Sequence, residues 1–174
     1  MSYFDIVLLV ILGGFALFGL YSGFISAMGS LFGTVIATFI AIRVYEPTAW
    51  WIGHYTGWGE NTTRVVVFVV LFFVLNRLVG LLFWLFEKIL TVVIRVPFIR
   101  SVDRILGLTL GLLEGVLAMG LVFYFVARFP ISDWFMKEMA GSVVVAIVVQ
   151  PVKILLPLLP EAIKLLKSTV SNVL

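Results

Sequence analysis

Two ionisable side chains stand where ionisable side chains are energetically costly. Arg77 lies near the middle of one long apolar run, next to Asn76, and Glu114 lies near the middle of another. At the bilayer centre each alone costs about 2.5 to 3.5 kcal/mol on insertion scales, so residues of this kind are expected to pair or to serve a path for ions. If the two runs are antiparallel neighbours, residues of equal index sum lie at equal depth. Arg77 with Glu114, Glu87 with Arg104 and Lys88 with Asp103 all share one sum. A separation of 11 residues turns a helix by only about 20° from its starting face, so Arg77 and Lys88 share a face, as do Glu114 and Asp103. The sequence therefore predicts an intramembrane pair of Arg77 with Glu114, formed within the bundle or between copies. The plainer role for it is neutralisation, the sharper one a gate.

Other chemistry has little to draw on. The chain has one histidine and no cysteine. Covalent catalysis needs a nucleophile beside a base, and metal catalysis needs convergent ligands. His54 with Glu46 and Glu60 is the one loop cluster a catalytic claim could use, and a solvated histidine in an aromatic loop is the plainer reading. No glycine-rich stretch has the form of a phosphate or dinucleotide loop. Neither an enzyme nor a cofactor is expected. Lys and Arg total 12 against nine Asp and Glu, scattered without a basic run, which argues against nucleic acid.

The elements that must position these residues follow from composition. Of 174 residues, 63% are hydrophobic and only 12% charged, whereas a soluble domain runs about 45 to 50% apolar with about 25% charged. An ordinary water-soluble globule is excluded, and the lipid bilayer is the expected partner. A spanning helix needs about 20 apolar residues. Four runs qualify: Phe4 to Leu20, Phe24 to Ile42, Val65 to Phe86 and Ile105 to Ala127. The fold predicted is an all-α membrane protein of four transmembrane helices. The first two runs nearly touch, and one helix through both would be about 58 Å long, so the chain must turn at Ser22 and Gly23. The first run lacks a basic flank and reads as an uncleaved span rather than a signal peptide.

Arg43 to Arg64 is read as a polar-aromatic connector, with Trp50, Trp51, Tyr55 and Trp58 suited to the headgroup layer. The connector from Glu87 to Arg104 carries Lys88, Arg95, Arg100 and Arg104, with Pro97 as a helix breaker. As the most basic short loop it is expected on the cytoplasmic side, which puts both termini outside. The chain divides into a four-helix domain over residues 1–128 and a tail over residues 129–174. Val143 to Val149 is too short to span, and a fifth membrane segment near residues 141–159 is disfavoured. The tail ends in an amphipathic helix that starts at Pro160 and carries Ile163, Leu166, Val170 and Val173 on one face, flanked by Lys164 and Lys167.

Lipid tails give helices no hydrophobic reason to associate, so packing depends on small residues and occasional hydrogen bonds. The second run shows two rows at four-residue spacing: Gly29, Gly33, Ala37 and Ala41, and beside it Ser22, Ser26, Ser30, Thr34 and Thr38. The fourth run repeats the device with Gly107, Gly111 and Gly115. The glycine rows are expected to join copies into a homo-oligomer. The hydroxyl row either bonds carbonyls within its own helix or lines a wet path between protomers.

The stretch Ser101-Val102-Asp103-Arg104-Ile105-Leu106-Gly107, followed by Leu110-Gly111-Leu112-Leu113-Glu114-Gly115, resembles the most recognisable part of the colicin V production protein family, CvpA. Asp5 opening the first run, Gly19-Leu20-Tyr21-Ser22-Gly23-Phe24, and Arg77-Leu78-Val79-Gly80 resemble its first hairpin and third helix. The resemblance implies a multi-pass protein of the bacterial inner membrane. Its implied role is that of a non-enzymatic accessory or scaffold for toxin production or export and envelope integrity, with an envelope or export protein as partner. It supplies no catalytic residues. Relatives often carry basic residues where Ser22 and Glu114 stand here. A homo-oligomeric channel or transporter subunit is the alternative.

Overall fold

The computed structural model describes residues 2–91 and 100–154, and among them every regular element is helical. Helix α1 (Tyr3–Ser22) starts with a capping box: the Ser2 hydroxyl accepts from the Phe4 amide and the Asp5 carboxylate accepts from the Ser2 amide. It stops at Gly23, whose φ of 84° only glycine adopts freely, so the turn falls where the length of the two runs required it. Helix α2 (Phe24–Thr56) follows at once. Helices α3 (Glu60–Thr91) and α4 (Arg100–Arg128) complete four helices long and apolar enough to cross a membrane.

The region expected to be a connector is mostly helix. Helix α2 continues through Pro47 to Thr56, and only residues 57–59 link it to α3. A proline removes one backbone bond from a helix. The remaining bonds hold, and the helix ends on the left-handed Gly57, whose amide donates to the Gly53 carbonyl. Trp50, Trp51 and Tyr55 thus project from a helix, all exposed, with Trp58 in the short link beyond it. The polar composition expected of a connector marks instead the part of α2 beyond the apolar run.

Neighbouring residues give the directions of the helices. Gly19 lies on Gly107 and Phe4 packs against Phe123, so α1 and α4 are antiparallel. Gly29 faces Phe83 and Gly33 faces Asn76, so α2 and α3 are antiparallel. Phe24 meets Asp103 and Tyr45 meets Phe125, so α2 and α4 run parallel. Helix α3 packs almost wholly on α2, and α4 on α1 and α2, while α3 and α4 hardly touch. The core beside these seams is aromatic: the Phe68 and Phe125 rings stack at 3.8 Å, with Tyr45 edge-on to Phe125 at 4.8 Å.

Beyond Arg128 the chain forms α5 (Asp133–Gly141) and α6 (Val143–Ile154), bent 87° to each other at Ser142. Together they have the length and composition of one broken span or a re-entrant loop. Met139, Val144, Val145, Val148 and Val152 belong to the same buried cluster as Leu8, Phe68 and Phe72. Gly120 of α4 lets the α6 backbone approach at Val148. The amphipathic helix expected from Pro160 and the basic residue Arg95 with Pro97 lie outside the described residues.

Candidate functional site

Glu114 is buried near the middle of α4, 4% exposed, and α2 supplies its partners. The Ser30 hydroxyl donates to Glu114 Oε1 at 2.6 Å, and Thr34 makes a longer 3.5 Å contact with the same oxygen. Asn76 of α3 donates through Nδ2 to Thr34 Oγ1 at 3.1 Å. A chain of polar groups therefore runs from α3 across α2 to the carboxylate on α4. The four-residue spacing of Ser30 and Thr34 puts both hydroxyls on one stripe of α2. Gly33 leaves room for the amide: a Cβ there would sit 2.9 Å from Asn76 Oδ1, which is buried with no partner among the described residues.

A cavity of about 430 Å³ opens on this cluster. Ile11, Gly14, Phe15 and Phe18 of α1 form one wall, and Phe73, Asn76, Arg77 and Gly80 of α3 form the other. Ser30 and Glu114 complete its lining. Helices α1 and α3 do not pack on each other along their length, so the cavity is a cleft between them. A Cβ at Gly14 or Gly80 would meet nothing within 4 Å.

Arg77 and Glu114 share this cleft but form no ion pair within the chain. Among the described residues the ion pair is Arg64 with Glu60, at 2.7 Å on the first turn of α3. An ion pair in that register requires α3 and α4 to be packed neighbours, and they are not. Helix α2 stands between them and its hydroxyls take the carboxylate, while Arg77 is exposed. Of the companion matches only the partners on α4 can be described: the Asp103 carboxylate is engaged with α2, its Oδ1 accepting from the Phe24 amide at 3.0 Å. Side chains of Glu87 and Lys88 lie outside the described residues.

The hydroxyl row divides. Ser22 and Thr38 donate to the carbonyls of Phe18 and Thr34, each at 2.6 Å, the local back-bonding expected of such residues. Ser30 and Thr34 instead converge on Glu114. Ser26 is half-buried. The small residues of α2 also have distinct neighbours: Gly29 faces the Phe83 ring, and Ala37 and Ala41 are fully buried.

The motif on α4 has a definite use. Asp103 caps the start of α2, where Gly23 leaves no room for a side chain beside the carboxylate. Gly107 and Gly111 lie against the backbone of α1 at Gly19 and Phe15, and Gly115 lies under the Phe15 ring. Residues 103, 107, 111 and 115 thus form one ridge of α4 set into the end of α1 and the turn after it. Arg104, off this ridge, is exposed. The colicin V production protein family model matches residues 4–153. The chain belongs to this family. No curated protein and no solved structure matches it. Within this family member the match runs through α5 and into α6, so the bent pair is part of the family domain.

Sequence reasoning missed one polar contact. Asp5, 2% exposed, accepts through Oδ1 from the Ser142 hydroxyl and, at 3.4 Å, from the Val144 amide. Ser142 in turn accepts from the Val145 amide at 3.2 Å, as an N-cap does. The signal available was a serine directly before an apolar helical run; nothing local named Asp5 as its partner 137 residues away. His54, Glu46 and Glu60 do line one cavity of about 380 Å³, with Trp50 and Arg64. No group of three possible metal ligands occurs among the described residues.

Proposed function

We infer that this multi-pass family member is a non-enzymatic accessory or scaffold protein of the bacterial inner membrane, serving production or export of a colicin V-type toxin and the integrity of the envelope. The observation that carries this reading is the use made of the motif. Asp103, Gly107, Gly111 and Gly115 cap one helix and seat another, so the family's recognisable residues build the bundle rather than face a substrate. The basic connector after α3 is read as cytoplasmic and the termini as external.

The test is deletion of the gene in a toxin-producing host. Loss of the growth-inhibition zone around the producer, together with sensitivity to detergents and large antibiotics, is the expected result, restored by the intact chain. Undiminished secretion with an intact envelope overturns it. A second reading, a channel or transporter subunit, is favoured by the cleft that brings Arg77 and Glu114 to one cavity at mid-span. Conductance in planar bilayers that Glu114→Gln alters would select that reading over the first.

A further inference from the structure

Arg77 is exposed on α3 at the depth of Glu114, and both line the cleft without pairing to each other inside the chain. Lipid tails satisfy neither an exposed guanidinium nor a carboxylate whose hydroxyl partners, Ser30 and Thr34, both address Oε1 and bring no positive charge. We propose that the cleft between α1 and α3 is the docking surface for a second copy of this chain, and that the partner's Arg77 enters it to pair with Glu114, the arrangement being reciprocal.

Three features of the molecule fit that occupant. A two-fold axis along the membrane normal joins residues of equal depth, and Arg77 lies close to the depth of Glu114, since its neighbour Asn76 is joined to the carboxylate through Thr34. The contact is self-complementary in charge, one arginine and one carboxylate from each copy. Gly80, one turn from Arg77 on the same face of α3, and Gly14 on the opposite wall have open space beside them. Small residues on an otherwise lipid-facing surface are what close helix approach in a bilayer requires. The glycines of α4 are not available for this purpose: Gly107, Gly111 and Gly115 are covered by α1 and the turn after it, and Gly120 by α6. The inference does not depend on the toxin-export reading.

The absence of cysteine makes the test direct. Gly80→Cys, oxidised in native membranes, is expected to give a disulfide-linked dimer, and Leu82→Cys, exposed on the far side of the same helix, is expected to give none. Both variants keep the charges, so folding is not at issue. Pairing in trans is then read by mixing. Copies carrying Arg77→Gln and copies carrying Glu114→Gln, each alone, lose every proposed pair, whereas a mixed dimer keeps one. Two differently tagged variants expressed together are expected to co-purify at least tenfold better than either variant co-purifies with itself. Equal loss in the mixture assigns any pairing to a single chain and overturns the proposal. So does an unlinked Gly80→Cys chain or a monomer in mild detergent, either of which leaves the cleft to lipid or water.

Discussion

Asp103 holds the first amide of α2: its Oδ1 accepts from Phe24 at 3.0 Å, joining the start of α4 to a turn 79 residues earlier. The carboxylate sits at a helix N-terminus, where it satisfies an orphan donor and meets the positive end of the helix dipole. Asp103→Ala removes both effects and is expected to destabilise the purified protein by about 1 kcal/mol. Asp103→Asn keeps an acceptor and loses less. A thermal melt in detergent in which alanine and wild type coincide would remove the cap from the account.

Gly19 and Gly107 touch backbone to backbone, and a Cβ on either would overlap the other's carbonyl oxygen. Neither main chain can yield without separating α1 from α4. Gly19→Ala and Gly107→Ala are therefore expected to reduce monodisperse protein severalfold on size exclusion. Gly13→Ala, with nothing within 4 Å, is expected to be neutral or slightly stabilising, since alanine is the better helix former by about 1 kcal/mol. Equal tolerance at Gly19 and Gly13 would contradict the seam.

Ser30 on α2 and Ser22 at the end of α1, which the sequence placed in one row, predict opposite outcomes. Ser30 donates to a buried carboxylate, a bond of a kind worth about 1.5 to 3 kcal/mol, and Ser22 donates to a carbonyl already bonded in its own helix. Ser30→Ala is expected to lower the melting temperature clearly, and Ser22→Ala hardly at all. The reverse order would mean that Glu114 does not rely on α2.

How legible these contacts were in the sequence depended on how local their cause is. The spans, the turn at Gly23 and the special character of Arg77 and Glu114 follow from hydropathy, length and charge within single helices. Which helix faces which does not. The equal index sums of Arg77 and Glu114 described two helices correctly as antiparallel and of matched depth. They carried no information that α2 would stand between them and offer Ser30 and Thr34 to the acid. Likewise the four-residue spacing of Gly107, Gly111 and Gly115 marked a packing surface without naming α1 as the helix set into it. Residues 43–56 misled for a different reason: charge and aromatic content signal an aqueous or interfacial setting, and a helix that leaves the apolar layer keeps its backbone bonds there.

Asp5 offers the sharpest separation of a structural from a topological role. Its carboxylate accepts from the Ser142 hydroxyl and the Val144 amide, and so ties the start of α1 to the start of α6 at the 87° bend. Asp5→Ala leaves a buried hydroxyl and a helix-terminal amide without their acceptor, which costs about 1 to 3 kcal/mol for each unsatisfied group. Ser142→Ala leaves Asp5 short of one donor but keeps the Val144 amide as a partner, so it is expected to be milder. Removing both partners in Asp5→Ala with Ser142→Ala is expected to be less harmful than the sum of the two, because the group each single change strands is gone. Because the four spans keep their own seams, the damage should concentrate in α5 and α6. Hydrogen exchange is expected to rise there while the α1–α4 seam at Gly19 and Gly107 stays protected. Uniform exchange through the whole bundle would instead make Asp5 part of the global fold, and strict additivity would mean that Asp5 and Ser142 act separately.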